Sequence, residues 1–165
     1  MAPDAILFEG VAGGLDMAIR PTWDRYFLDI AETVSTRSKD PRTKVGAVLV
    51  KNRRILGTGY NGFPSGINDD LAERWEIPIK YSFVAHAERN ALDRCAADGV
   101  ATGGCTVYIT LPPCTECAKS IIQCKAAGIV VANPAPEHWK GSSDFAIAML
   151  EEANLSVVLA YSADL

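Results

Sequence analysis

His86-Ala87-Glu88 and, twenty-five residues after Glu88, Pro113-Cys114-Thr115-Glu116-Cys117 restrict this chain more than any other feature. Together they supply one imidazole, two thiols and one carboxyl. Three ligands of that kind hold a zinc ion with its fourth position open, and the carboxyl is left over as a proton carrier. The spacings dictate local structure. Cys114 and Cys117, three apart, share a face only on a helical turn. His86 and Glu88, two apart, point roughly opposite ways in mid-helix and converge only over a helix end, with His86 at or near the first helical position. Both halves of the motif are therefore expected at helix beginnings. There the unpaired N–H groups and the positive dipole end favour thiolates.

A structural zinc site would need a fourth protein ligand. Along a helix Cys124 lies about 10 Å beyond Cys117, and Cys95 about 13 Å beyond His86, so neither closes the same site easily. Cys105 and His138 stay open as fourth ligands. A redox Cys-x-x-Cys leaves His86 and Glu88 unexplained.

The 165 residues are most simply one domain, read as an N-terminal extension over 1–20 and a zinc-dependent domain over 21–165. A net charge of −4 argues against a general nucleic-acid-binding surface. Arg37-Ser38-Lys39-Asp40-Pro41-Arg42-Thr43-Lys44 is the exception, with four positive charges against one negative. No secretory pattern opens the chain and no apolar run reaches a membrane span. With five cysteines, an odd number, a reducing cytoplasmic setting fits better than a disulfide framework. Cys95, Cys105 and Cys124 read as small buried hydrophobes.

Thr22 is placed to cap a helix over 23–37, with Trp23, Phe27, Ile30, Ala31 and Val34 on one apolar face and Lys39-Asp40-Pro41 ending it. Val45–Val50 and Ile55–Tyr60 read as antiparallel strands around a turn at 51–54. Asn61–Gly66 is a loop, and 67–84 loop with a short helix near Asp70–Arg74. Helix is expected over Ala85–Ala97, strand over Thr106–Leu111, helix from Cys114 to Ala127 closed by Gly128, strand over Ile129–Ala132, helix over Ser143–Ala153 and strand over Ser156–Ala160. The order implies an α/β fold, a mixed five-stranded sheet with helices on its faces. Trp75, Tyr81 and Phe83 read as core rather than as a base-stacking platform, Tyr81 being the least settled, and His138-Trp139 as a solvated loop.

The chain resembles the deoxycytidylate (dCMP) deaminases of the cytidine deaminase-like superfamily, from about Trp23 to Ala132. The resemblance is carried by Trp23-Asp24, Tyr26-Phe27, Ser38-Lys39-Asp40-Pro41, Thr43-Lys44-Val45-Gly46-Ala47, Gly59-Tyr60-Asn61-Gly62-Phe63-Pro64-Ser65-Gly66, His86-Ala87-Glu88-x-Asn90-Ala91 and Pro113-Cys114-x-x-Cys117-Ala118-Lys119. It implies a three-layer α/β/α fold and hydrolysis of dCMP to dUMP and ammonia. His86, Cys114 and Cys117 would hold zinc, and Glu88 would move the proton. It also implies sugar contact by Asn61 and base contact by the backbone around Ala87. The 5′-phosphate would then fall to the basic island around Arg37, Lys39 and Lys44, with Tyr81 a further substrate contact. Family members are often homo-hexamers regulated by dCTP and dTTP with Mg2+, and Phe63 would reach a neighbouring subunit or such a nucleotide. Two departures stand out: Arg89 replaces a usual apolar residue after the glutamate, and Ala85 replaces a usual Cys before the histidine. Arg89 leaves open a modified cytosine nucleotide. Gly66–Phe83 is short and carries no second zinc cluster. The alternatives are a deaminase acting on a nucleoside, a purine or tRNA adenosine, and a non-catalytic zinc-binding module.

Overall fold

The computed structural model describes residues 20–162. Apart from Arg20, the extension read over 1–20 lies outside them. The elements run α1 (Trp23–Ser35), β1 (Gly46–Lys51), β2 (Arg54–Tyr60), α2 (Lys80–Phe83), α3 (Ala87–Ala97), β3 (Thr106–Ile109), α4 (Thr115–Gln123), β4 (Gly128–Val131), α5 (Lys140–Glu152) and β5 (Ser156–Leu159). Short 3-10 turns occupy Ala72–Trp75, Glu137–Trp139 and Ala160–Ser162.

The five strands form one sheet in the order β2-β1-β3-β4-β5. β1 is antiparallel to both β2 and β3, whereas β3, β4 and β5 run parallel. The tight turn at Asn52-Arg53 explains the antiparallel half: both residues adopt positive φ, as a two-residue hairpin turn requires. The parallel half needs crossovers, which α4 and α5 supply.

Period-2 alternation sorts side chains between two cores. Val48, Val50, Tyr108 and Val130 meet Phe27, Leu28 and Ala31 of α1 on one face. On the other, Ala47, Leu49, Val107, Ile109, Ile129 and Val131 pack with residues of α3, α4 and α5. The result is the expected three-layer α/β/α architecture, each fully buried Leu, Ile or Val contributing about 1.5–3 kcal/mol. Among the described residues no helix is long and apolar enough to cross a membrane.

Thr22 caps α1 as expected, its hydroxyl accepting from the Arg25 N–H. Other local expectations are corrected. α1 ends at Ser35, ahead of Lys39-Asp40-Pro41, and Ser38 and Asp40 are buried instead. Leu28 takes the inward position expected of Trp23, which is half exposed, stacked on Phe27 and covered by the Arg53 guanidinium. α4 stops at Gln123, and the left-handed residue that releases the chain is Lys125 rather than Gly128. Gly128 lies in β4 against the Ser156 backbone, which a Cβ would strike. Within 67–84 the helix α2 is additional. It is too short and too mixed in composition to show a period.

Gly59 of β2 sits where α3 crosses the sheet, and a Cβ there would be driven into the Ala87 carbonyl and the Ala91 N–H. Backbone on both sides leaves nothing to move aside. Gly59→Ala is therefore expected to destabilise the fold by roughly 1–3 kcal/mol and lower Tm by about 3–10 °C, measured by thermal unfolding.

Candidate metal centre and active site

His86 is the N-cap of α3 and Cys114 the N-cap of α4; both have extended backbones and neither side chain is spent on capping. This meets the condition set by the spacing of His86 and Glu88. The approach to α3 is pinned by two hydrogen bonds between Gly62 and Ala85, at 3.1 and 2.9 Å. The Asn90 amide also donates to the Tyr60 carbonyl at 2.8 Å. Cys117 and Glu88 lie in the first turns of α4 and α3, and both are buried.

His86 Nδ1 is 3.3 Å from Cys114 Sγ and 3.4 Å from Cys117 Sγ, and the three ligand atoms all lie within 4.8 Å of one another. Donors at ordinary Zn–N and Zn–S lengths in a tetrahedron stand about 3.5 Å apart, so the set fits a zinc ion. Among the described residues this ligand group contains no fourth protein donor. Cys105 sits in the core instead, with Cys124 packed against that core, and Cys95 is buried there too. An ion held here keeps a position for water, which argues for a catalytic rather than a structural site.

The three donors lie within hydrogen-bond reach and shift one another's proton affinity. The Cys114 thiol is pushed down to about 3, chiefly by its hydrogen bond with Cys117 and then by His86. The same hydrogen bond and burial push Cys117 up. His86 is raised, first by its hydrogen bond with Cys114. Burial lifts the Glu88 carboxyl above the usual range, and a backbone N–H and the His86 charge only partly offset it.

His86, Ala87 and Glu88 open into a cavity of about 540 Å3. Asn61 lines its wall, and Tyr81 stands at the rim, 67% exposed, against the core reading. Trp75 is buried as expected, stacked on Phe63 at 4.4 Å between centroids, and Phe83 packs against the same ring.

The basic island divides. Arg42 lines the cavity, and Lys80 of α2 joins it. Arg37, Lys39 and Lys44 are not among the lining residues, and Lys39 is drawn away by Asp69 and Asp70 at 2.7 and 2.8 Å. His138 and Trp139 also line the cavity, His138 remaining exposed and Trp139 partly buried. Their signal was faint: the 3-10 turn over Glu137–Trp139 gives no period. Arg89 turns away from the cavity and bonds Asp93 and the Ser120 hydroxyl of α4.

Zinc is expected to raise Tm measurably, by about 2.7 kcal/mol of stabilisation at a hundredfold excess over Kd. Cys114→Ser is expected to abolish most of that shift, and metal analysis of the purified variant should show the loss directly.

Residues 21–133 match the family model described as the cytidine and deoxycytidylate deaminase zinc-binding region. Deoxycytidylate deaminase of Mus musculus is 45% identical over 109 residues, covering 61% of this chain and 59% of the relative. That of Homo sapiens is 44% identical over 108 residues, with the same coverage. The chain thus spans about three-fifths of the length of these curated relatives. A crystal structure of dCMP deaminase from the cyanophage S-TIM5, in complex with dCMP and dUMP, superposes with a TM-score of 0.70 at 31% identity, over 84% of this chain and 97% of that one. The family match spans more than half of the chain and contains the three-donor centre and the buried glutamate. This chain belongs to the cytidine and deoxycytidylate deaminase family.

Proposed function

We propose that this protein is a zinc-dependent hydrolase that converts dCMP and water to dUMP and ammonia. The observation that carries the reading is a buried carboxyl, Glu88, in the first turn of a helix whose N-cap belongs to a three-donor metal centre. The likeness to deoxycytidylate deaminases and to the S-TIM5 structure in complex with dCMP and dUMP supports the choice of substrate.

His86, Cys114 and Cys117 would hold the zinc, which when bound supplies an activated water at neutral pH. The chain's own residues do the rest. Burial raises the proton affinity of Glu88, so its carboxyl is a better proton acceptor than an exposed glutamate and can pass the proton on. It delivers that proton first to the ring nitrogen next to the amine-bearing carbon. The water oxygen bonds to that carbon, and the carboxyl then carries the second water proton to the amine, so that the C–N bond breaks, ammonia leaves and the carbonyl of dUMP remains. The Ala87 N–H, at the first position of α3, is placed for the base carbonyl. Asn61 spends both amide hydrogens on Asp40 and Thr43 and one Oδ1 lone pair on the Val45 N–H, so it meets a sugar hydroxyl as an acceptor through the second Oδ1 lone pair.

The 5′-phosphate falls to Arg42 and Lys80, which line the cavity, in place of Arg37, Lys39 and Lys44. Tyr81 at the rim can close over the ligand. Assembly as a homo-hexamer and control by dCTP and dTTP with Mg2+ rest on the family resemblance alone, whereas a cytoplasmic location rests on the odd number of cysteines. The division into an extension over 1–20 and a deaminase unit over 21–165 rests on the reading of the sequence.

Ammonia release from dCMP, with deoxycytidine and AMP as comparisons, tests the reading. Glu88→Ala is expected to retain zinc and fold while turnover falls by at least about 10²–10⁴; an unaffected rate removes Glu88 from the mechanism. Arg42→Ala is expected to raise KM for dCMP about tenfold, as loss of a charge-assisted hydrogen bond should. Lys39→Ala is expected to leave KM unchanged, and the reverse pattern would return the phosphate to the outer part of the island.

A further inference from the structure

The geometry points to Asp40 as a positioning residue for substrate binding, acting through Asn61 and Lys80; the inference rests on the functional reading above. Asp40 lines the cavity yet is 2% exposed. Its Oδ1 accepts from the N–H groups of Arg42 and Thr43, at 2.9 and 3.2 Å. Its Oδ2 accepts from Asn61 Nδ2 at 3.0 Å and pairs with the Lys80 ammonium. Four donors fill the accepting capacity of a carboxylate. Asp40 therefore has nothing left for a ligand and works through the groups it holds.

Those groups come from three separate stretches of chain. Arg42 and Thr43 belong to the α1–β1 connection, Asn61 follows β2, and Lys80 opens α2. All of them face the same cavity. α2 has four residues, too few to persist as a helix unaided, and its Lys80 side chain is itself largely buried against Asp40. One carboxylate thus joins the Thr43 carbonyl and the Val45 N–H in orienting the Asn61 amide, and it fixes the place of the Lys80 charge and, through α2, the seat of Tyr81. Ser38 belongs to the same buried network but touches only backbone, donating to the Asn61 carbonyl and accepting from the Asp40 N–H. It is the natural control for a merely structural role.

Asp40→Asn separates the two halves of the carboxylate. An amide oxygen can still serve Arg42 and Thr43, while the new NH2 opposes the donors of Asn61 and Lys80. In the zinc-loaded full chain, calorimetry with dUMP and steady-state kinetics with dCMP are the readouts, beside zinc content and Tm. The expected result is a Kd for dUMP and a KM for dCMP each raised about tenfold or more. Zinc should be retained and kcat should stay within about threefold of wild type. Ser38→Ala is expected to lower Tm without moving Kd.

An Asp40→Asn variant whose Kd moves no further than that of Ser38→Ala overturns the inference, as does a fall in kcat at unchanged KM. Should Asp40→Asn fail to fold, Lys80→Met leaves the other three bonds to Asp40 intact. It is expected to weaken dUMP binding by at least about fivefold, and unchanged binding again overturns the inference. A wild-type protein that binds neither dUMP nor dCMP overturns the functional reading, and this inference with it, which distinguishes that failure from the others.

Discussion

Two helices begin at one place, and the rest of the molecule is arranged to allow it. An imidazole and two thiols meet within a few ångströms only because His86 and Cys114 are both N-caps with extended backbones that free their side chains. Each helix is brought there by the strand or loop before it. The Gly62–Ala85 bridge aims α3, and the Pro112-Pro113 turn after β3 aims α4. Arg89 then ties the two helices side by side through Ser120. Helix N-termini offer unpaired N–H groups and a favourable dipole, which favour anionic donors there without further charges.

The centre was legible because its chemistry is written in short spacings. A His-x-Glu pair forces a helix end, and a Cys-x-x-Cys pair forces a helical turn. Strands β1, β3 and β4 were legible for a related reason: Val, Ile and Leu runs bounded by charge or turns have few other uses. What escaped was set by partners far along the chain. Lys39 counts as a free positive charge in the sequence, but Asp69 and Asp70, thirty residues on, neutralise it. Lys80 looked unremarkable until Asp40, forty residues earlier, gave it a buried seat. His138 and Trp139 reach the cavity through a 3-10 turn with no periodic signature. Tyr81 read as core because an aromatic before an apolar helix usually is, and the shortness of α2 leaves it outside.

Charge around the cavity is balanced rather than simply positive. Asp40 answers Lys80, Glu76 stands 3.4 Å from the Arg42 guanidinium, and Glu88 faces the metal ligands. A wholly basic pocket would attract any polyanion. The buried Asp40–Lys80 pair fixes its cation in place, whereas the Arg42–Glu76 pair is solvent-exposed and leaves its guanidinium free to turn to a ligand.

The position of the centre within the sheet has a further consequence. α3 packs on the antiparallel hairpin half, whereas α4 belongs to the parallel half, and β3 is the strand both halves share. His86 and Cys114 are 28 residues apart. An ion bridging them closes that stretch of chain into a loop, much as a disulfide would, but reversibly and under the control of metal supply. The seam between two kinds of strand pairing thus carries its own removable staple, and the same atoms that would perform the chemistry would also register whether the two halves of the domain have come together.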